Sequence, residues 1–217
     1  MKIYSYVIRD DKGLAPNPFW DYCTLALDQA LIRLVAKPGD WIVGLKETSE
    51  KIEDHSLLFA MQVKEKLTFD QYWNDERFQS KKPDFTIDGQ IHRIGDNIYE
   101  PSSNNSYRQH FSYHAQDYIK DQNAWEKQQK DDLEGKYVLI SGKNDFLYFG
   151  NKPEKIPDKK LIDILYCDIG HKCIADPIVP KAFLEFIEKL KTAGKIGFLN
   201  PPEKWKKQDD SWKDCKV

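Results

Sequence analysis

The segment Gln109-His-Phe-Ser-Tyr-His-Ala-Gln-Asp117 holds the densest set of side chains able to move a proton. On a helix, His110 and His114 share a face and Asp117 lies one turn beyond, a spacing compatible with a divalent ion. On a strand the two histidines flank Ser112 and stand too far apart for one ion. Three candidate ligands with no reinforcing motif do not make a metal site, so no metal and no cofactor are expected. The better reading is His114 as a single base or base-edge donor, oriented by Asp117 or Ser112. Cys167-x3-His171-x-Cys173 has ligands but no second half, and reads as a strand-end turn with buried thiols, because free cysteine behaves as a small hydrophobe.

Aromatic faces supply a different chemistry. The run from Gly13 to Leu27 is almost free of charge in a chain that is 31% charged, and prolines on both sides of Asn17 fix the directions of Phe19, Trp20 and Tyr22. Trp20, Trp41, Trp73 and Tyr99 are enough to sandwich a base, at about 1–3 kcal/mol per stacked face. Asn17, Asp40, Asp96 and Asn97 match donor and acceptor pairs on a base edge. The competing reading is that large aromatics are core material first. Within that pair of readings Trp41 falls to the core and Trp20 to a pocket wall, while Asp40 reads as a turn residue capping its own backbone.

The elements that position these residues are short. Lys2 to Arg9 reads as a strand buried on both faces. Asp28 caps a short helix over Gln29 to Val35 that turns Leu31, Leu34 and Val35 inward and stops at Lys37-Pro-Gly39. Strands follow over Asp40–Leu45 and Ser56–Val63, and Thr68 caps a helix opening at Phe69. Residues 84–136 read as a long polar insertion, too long for an idle connection. Tyr137–Ser141 and Phe146–Gly150 look like a hairpin, and Pro180–Ala193 is the clearest helix, with Phe183, Ile187 and Leu190 on one face. Together they predict an α+β fold: a barrel-like, mostly antiparallel sheet with short helices, forming one domain over residues 1–200 with a polar tail at 201–217.

Composition narrows the function. A formal net charge of −2 and a pI near 6.2 argue against coating duplex nucleic acid through many phosphates. No apolar run approaches the roughly 20 residues of a membrane span, and four scattered cysteines with no leader segment point to a reducing cytoplasm. Phosphate-loop, dinucleotide-fingerprint, nucleophile-elbow and paired Cys-x-x-Cys motifs are missing, which removes ATPase, dehydrogenase and zinc-ribbon readings.

The runs Ala15-Pro-Asn-Pro-Phe-Trp20, Cys23-Thr-Leu-Ala26, Ile32-Arg33, Lys37-Pro-Gly-Asp-Trp-Ile-Val-Gly44, Ala60-Met-Gln-Val63, Phe69-Asp-Gln-Tyr-Trp-Asn-Asp75, Gly95-Asp-Asn-Ile-Tyr99 and Gly170-His-Lys172 resemble the second type of nucleotide-modification-associated domain. The chain departs from that pattern where Asp28-Gln29-Ala30 stands in place of Cys-Lys-Pro, so no thiol or cation is carried over there. A weaker likeness, to the modified-base-binding barrels of the pseudouridine-synthase-and-archaeosine-transglycosylase-like superfamily, bears on fold alone. The resemblance implies a setting of DNA modification or phage defence. The leading expectation is therefore binding of a modified nucleobase or nucleotide through Asn17, Phe19, Trp20, Trp73, Asn97, Tyr99 and Ser112. Its partners would be a nucleotide or short nucleic-acid segment, with a protein of a defence or modification system as a further one. An enzyme altering a base through His114 with Asp96 or Asp117 is the alternative, and a protein-interaction module with an apolar patch near Phe19 and Trp20 is the third.

Overall fold

The computed structural model describes residues 1–47, 55–115, 120–175 and 178–215. The chain runs β1 (Ile3–Ile8), β2 (Tyr22–Leu25), α1 (Ala30–Val35), β3 (Trp41–Lys46), β4 (Ser56–Gln62), β5 (Glu65–Thr68), α2 (Phe69–Asn74), the pair β6 (Tyr99–Pro101) and β7 (Tyr107–Gln109), α3 (Gln122–Leu133), β8 (Tyr137–Gly142), β9 (Phe146–Tyr148), β10 (Glu154–Lys155), α4 (Lys159–Leu165), β11 (Lys172–Ile174), α5 (Ile178–Thr192) and β12 (Gly197–Phe198). These elements gather into two compact units, each assembled from three separate stretches of chain.

The first unit takes Met1–Asp11, Ala36–Lys64 and Ser141–Lys204. Its sheet has the order β11-β1-β3-β4-β9-β12, with β10 also on β4. The β1–β3 and β9–β12 pairs are parallel and the others antiparallel. The register sets Ile3 beside Trp41, Ser5 beside Val43 and Val7 beside Leu45, so alternate residues build one apolar face. On that face pack Leu161, Ile162 and Leu165 of α4 with Phe183, Ile187 and Leu190 of α5. Tyr4 and Tyr6 point the other way and are also buried, so β1 is covered on both faces, as its sequence predicts. Trp41 lies in this core, its ring edge-on to Phe183 at 5.3 Å.

The second unit takes Lys12–Val35, Glu65–Ile140 and the chain from Trp205 onward. A three-stranded sheet of order β2-β8-β5 and the β6–β7 hairpin surround a core of Leu27, Phe69, Tyr72, Phe78, Ile98, Tyr99, Val138 and Ile140. At the start of α2 the Thr68 hydroxyl accepts from Gln71 N–H while the Gln71 side chain accepts from Thr68 N–H, a reciprocal cap. The stretch 84–136 carries β6, β7 and α3, and it buries Ile91, Ile94, Ile98 and Tyr99. Trp205 returns against Phe19, with ring centroids 5.7 Å apart.

Four sequence expectations need correction. Among the described residues no sheet closes into a barrel; the strands form separate open sheets. The two runs after residue 136 do not pair as a hairpin: β8 pairs with β5, whereas β9 pairs with β4 and β12. Helix α1 is turned over, with Ile32 and Arg33 buried and Leu31, Leu34 and Val35 exposed. Cys173 is exposed on β11, which among the described residues pairs only with β1, and Cys167, in the turn after α4, is only partly buried. No helix among the described residues is long and apolar enough to cross a membrane.

Candidate functional site

Helix α3 begins at Asp121, whose carboxylate accepts from Asn123 N–H and Ala124 N–H. Its last turn carries Asp132, a poor place for an acid because the carbonyl end of a helix is the negative end of its dipole. Asp132 is nonetheless buried and fully engaged. Its Oδ1 accepts from Asp28 N–H at 2.8 Å, and its Oδ2 accepts from the Tyr99 hydroxyl at 2.7 Å and meets His114 Nε2 at 2.9 Å. Donors from three elements therefore converge on one carboxylate.

Arg33 frames this cluster from below. Its guanidinium is wholly buried and donates to the carbonyls of Asp28 (2.7 Å), Tyr137 (3.0 Å) and Asp132 (2.6 Å). Gly135 makes room for it, since a Cβ there would lie 2.5 Å from the guanidinium carbon. Asp28 and Gln29, immediately before α1, both hold left-handed backbone, at φ 52° and 43°. Such a pair is costly for residues with side chains and persists where surroundings enforce it. Here it aims the Asp28 amide at Asp132 and sets the Asp28 side chain beside His114.

Charge is distributed accordingly. Burial pushes the His114 pKa down, but the hydrogen bond and charge of Asp132, together with the Asp28 charge, outweigh it and leave the imidazole above its ordinary value. Burial would raise Asp132; the hydrogen bonds from His114 and Tyr99 and the charge of Arg33 hold it below the usual carboxylate range. Asp28 is exposed as a residue, yet crowding around its carboxyl raises its pKa, aided by the Asp132 charge and opposed by His114 and Arg33. A cleft of about 330 Å³ opens beside Asp28 and Asp132, walled by Asp28, Gln29 and Ala30 on one side and Lys127, Gln128, Asp131 and Asp132 of α3 on the other. One ligand atom each from Asp28, His114 and Asp132 lie within 4.8 Å of one another.

The residues singled out from the sequence go to different places. His114 and Tyr99 meet in this cluster, and buried Ser112 accepts from His114 N–H at 3.2 Å. His110 does not join them: its Nε2 pairs with Glu100 at 2.7 Å and its ring stacks on Trp73 at 5.0 Å. Asn17, Asp96 and Asn97 are buried in a separate network. Asn17 accepts from Lys81 Nζ at 2.7 Å, Asp96 accepts from the Thr24 and Tyr72 hydroxyls at 2.6 Å each, and the Asn97 amide donates to the Tyr72 and Phe78 carbonyls. Phe19 is buried against Trp205, while half-buried Trp20 leans on His92 at 5.7 Å. Asp117 lies outside the described residues. Asp28, Arg33, Gln128 and Asp132 were not singled out as site residues by sequence reasoning; the one available signal was an acid in the last turn of a polar helix.

A family model described as nucleotide modification associated domain 2 matches residues 1–209, and the chain belongs to that family. No curated protein and no solved structure matches it. Membership associates the chain with nucleotide modification.

Proposed function

We propose that the chain binds a nucleobase or nucleoside, modified bases included, in the cleft beside Asp28 and Asp132, as part of a DNA-modification or defence system. The observation that carries the reading is the pairing of anchored acceptors with buried amide atoms that have no partner. Gln128 Oε1, beside the cleft, and both amide atoms of Gln109 are buried without a hydrogen bond. Gln109 stands directly across the β6–β7 hairpin from Tyr99, so the two side chains share a strand face. Unsatisfied buried polar groups are rare in folded proteins and are met by ordered water or by a bound partner. Carboxylates and amides accept from the exocyclic amino and ring N–H groups of a base. The walls set three carboxylates, Asp28, Asp131 and Asp132, against one cation, Lys127, which disfavours a phosphate and orients the base inward and the sugar-phosphate outward.

Calorimetric titration with nucleosides, their 5′-monophosphates and modified-base counterparts tests this. Expected are saturable binding of at least one amino-bearing base, monophosphates binding no tighter than nucleosides, and a loss of about 10-fold or more in affinity for Asp28→Asn, the scale of one hydrogen bond to a charged group. Folded protein that binds none of them at millimolar concentration sinks the reading.

A further inference from the structure

We propose that Asp28, His114 and Asp132 form a binding site for one divalent first-row transition ion. Two carboxylates and an imidazole are the mixed oxygen and nitrogen set such ions accept, and two negative charges match the ion's two positive ones. The spacing fits. With bonds of about 2.1 Å, neighbouring ligand atoms of an octahedral ion lie about 3.0 Å apart and opposite ones about 4.2 Å. His114 Nε2 and Asp132 Oδ2 stand 2.9 Å apart, and all three ligand atoms lie within 4.8 Å, so closure needs a shift of a few tenths of an ångström. The ion takes the place of the proton that His114 and Asp132 share.

Two further observations point the same way. Asp132 is held by the Tyr99 hydroxyl and the Asp28 amide, the kind of outer support that fixes a ligating carboxylate. Gln128 donates its Nε2 to the His114 carbonyl at 3.0 Å, which leaves its other amide atom, the buried and unpartnered Oε1, next to the cluster as a neutral ligand or as acceptor for ion-bound water. Asp28 is exposed at the cleft, so the ion keeps open positions toward solvent, where a base nitrogen or carbonyl can enter. The inference shares the cleft with the nucleoside reading and does not depend on it.

The test is Co²⁺ titration of untagged, chelator-treated protein, followed by visible absorption and repeated calorimetrically with Zn²⁺ and Mn²⁺. Expected are one ion per chain and d–d bands in the visible, with affinity reduced at least 10-fold by Asp28→Asn and by His114→Gln, about 10-fold by Tyr99→Phe, and unchanged by Asp163→Asn, exposed on α4 in the first unit. The His114 side chain is largely covered, and its variant risks misfolding; exposed Asp28 keeps the test decisive, with circular dichroism confirming the fold. Folded wild type that binds none of the three ions overturns the proposal, as does binding that Asp28→Asn leaves intact. Nucleoside titration both with chelator and with Co²⁺-loaded protein separates the two claims: nucleosides failing in both while Co²⁺ binds removes only the base reading, and nucleosides binding while no ion binds removes only the metal.

Discussion

Arg33 shows how much of the site rests on one side chain that no ligand touches. Its guanidinium donates to three backbone carbonyls, and two of them belong to Asp28 and Asp132. Arg33→Met fills similar volume but removes the guanidinium donor from all three carbonyls, of which that of Asp132 keeps the 3.2 Å bond from Gly135 N–H; each carbonyl left unpaired costs roughly 1–3 kcal/mol before relaxation. A loss of about 3 kcal/mol or more in denaturant unfolding is expected, and Arg33→Lys recovers little, because one ammonium cannot reproduce the planar fork. A loss under 1 kcal/mol would show that water takes over. Lys81 is the second buried cation, and burial lowers its pKa to about 8 against the attraction of Asp96. From about pH 8 up to the ordinary lysine value, the unfolded chain holds a proton the folded chain has released, so this group's contribution to stability rises with pH there; below pH 8 the full cost of the buried charge is present. Wild type should therefore gain stability relative to Lys81→Met between pH 8 and 10, and a flat difference would mean Lys81 stays charged.

At the scale of elements, Gly44 in β3 has a packing reason. A Cβ there would lie 2.2 Å from the Phe59 ring and 2.6 Å from Ile8 Cδ1, at the point where the β3–β4 register shifts. Gly44→Ala should destabilise by about 1–3 kcal/mol through overpacking, and Phe59→Leu should restore part of that loss in the double variant. Simple additivity of the two would argue against the clash. β1, β3, β4 and α5 were legible because dense apolar runs or a clean helical stripe leave one arrangement. The Thr68 cap was legible because its signal is local. Helix α1 was misread because six residues bearing Leu31, Ile32, Leu34 and Val35 offer apolar groups all round, and the buried Arg33 decides which face turns in. Helix α3 was read as part of an irregular insertion because only Ala124, Trp125 and Leu133 break its polar sequence. The candidate site was legible at His114 and Tyr99 alone, since Asp28 and Asp132 meet across 104 positions through a backbone amide that no spacing rule reports.

For the whole molecule, charge sets the terms on which a nucleic-acid ligand is held. A protein that tracks a single strand by its phosphates releases counterions, and log K falls with log salt by about 0.7 for each phosphate neutralised. This chain carries a formal net charge of −2, and its cleft presents Asp28, Asp131 and Asp132, with Lys127 paired to Asp131 at 3.3 Å. A base entering such a cleft leaves its phosphates outside, so few counterions are displaced. Binding of a short single-stranded oligonucleotide should accordingly show a slope shallower than about −1 between 50 and 300 mM salt, where a phosphate-tracking groove gives about −3 or steeper. Affinity should instead follow the identity of the base. Fluorescence anisotropy at several salt concentrations measures the slope directly, with Asp131→Lys as a probe of the local field: it should tighten oligonucleotide binding and steepen the slope while leaving nucleoside affinity nearly unchanged. A steep wild-type slope combined with indifference to base identity would mean that the ligand is the backbone, and the cleft over Asp132 would lose its place as the binding site.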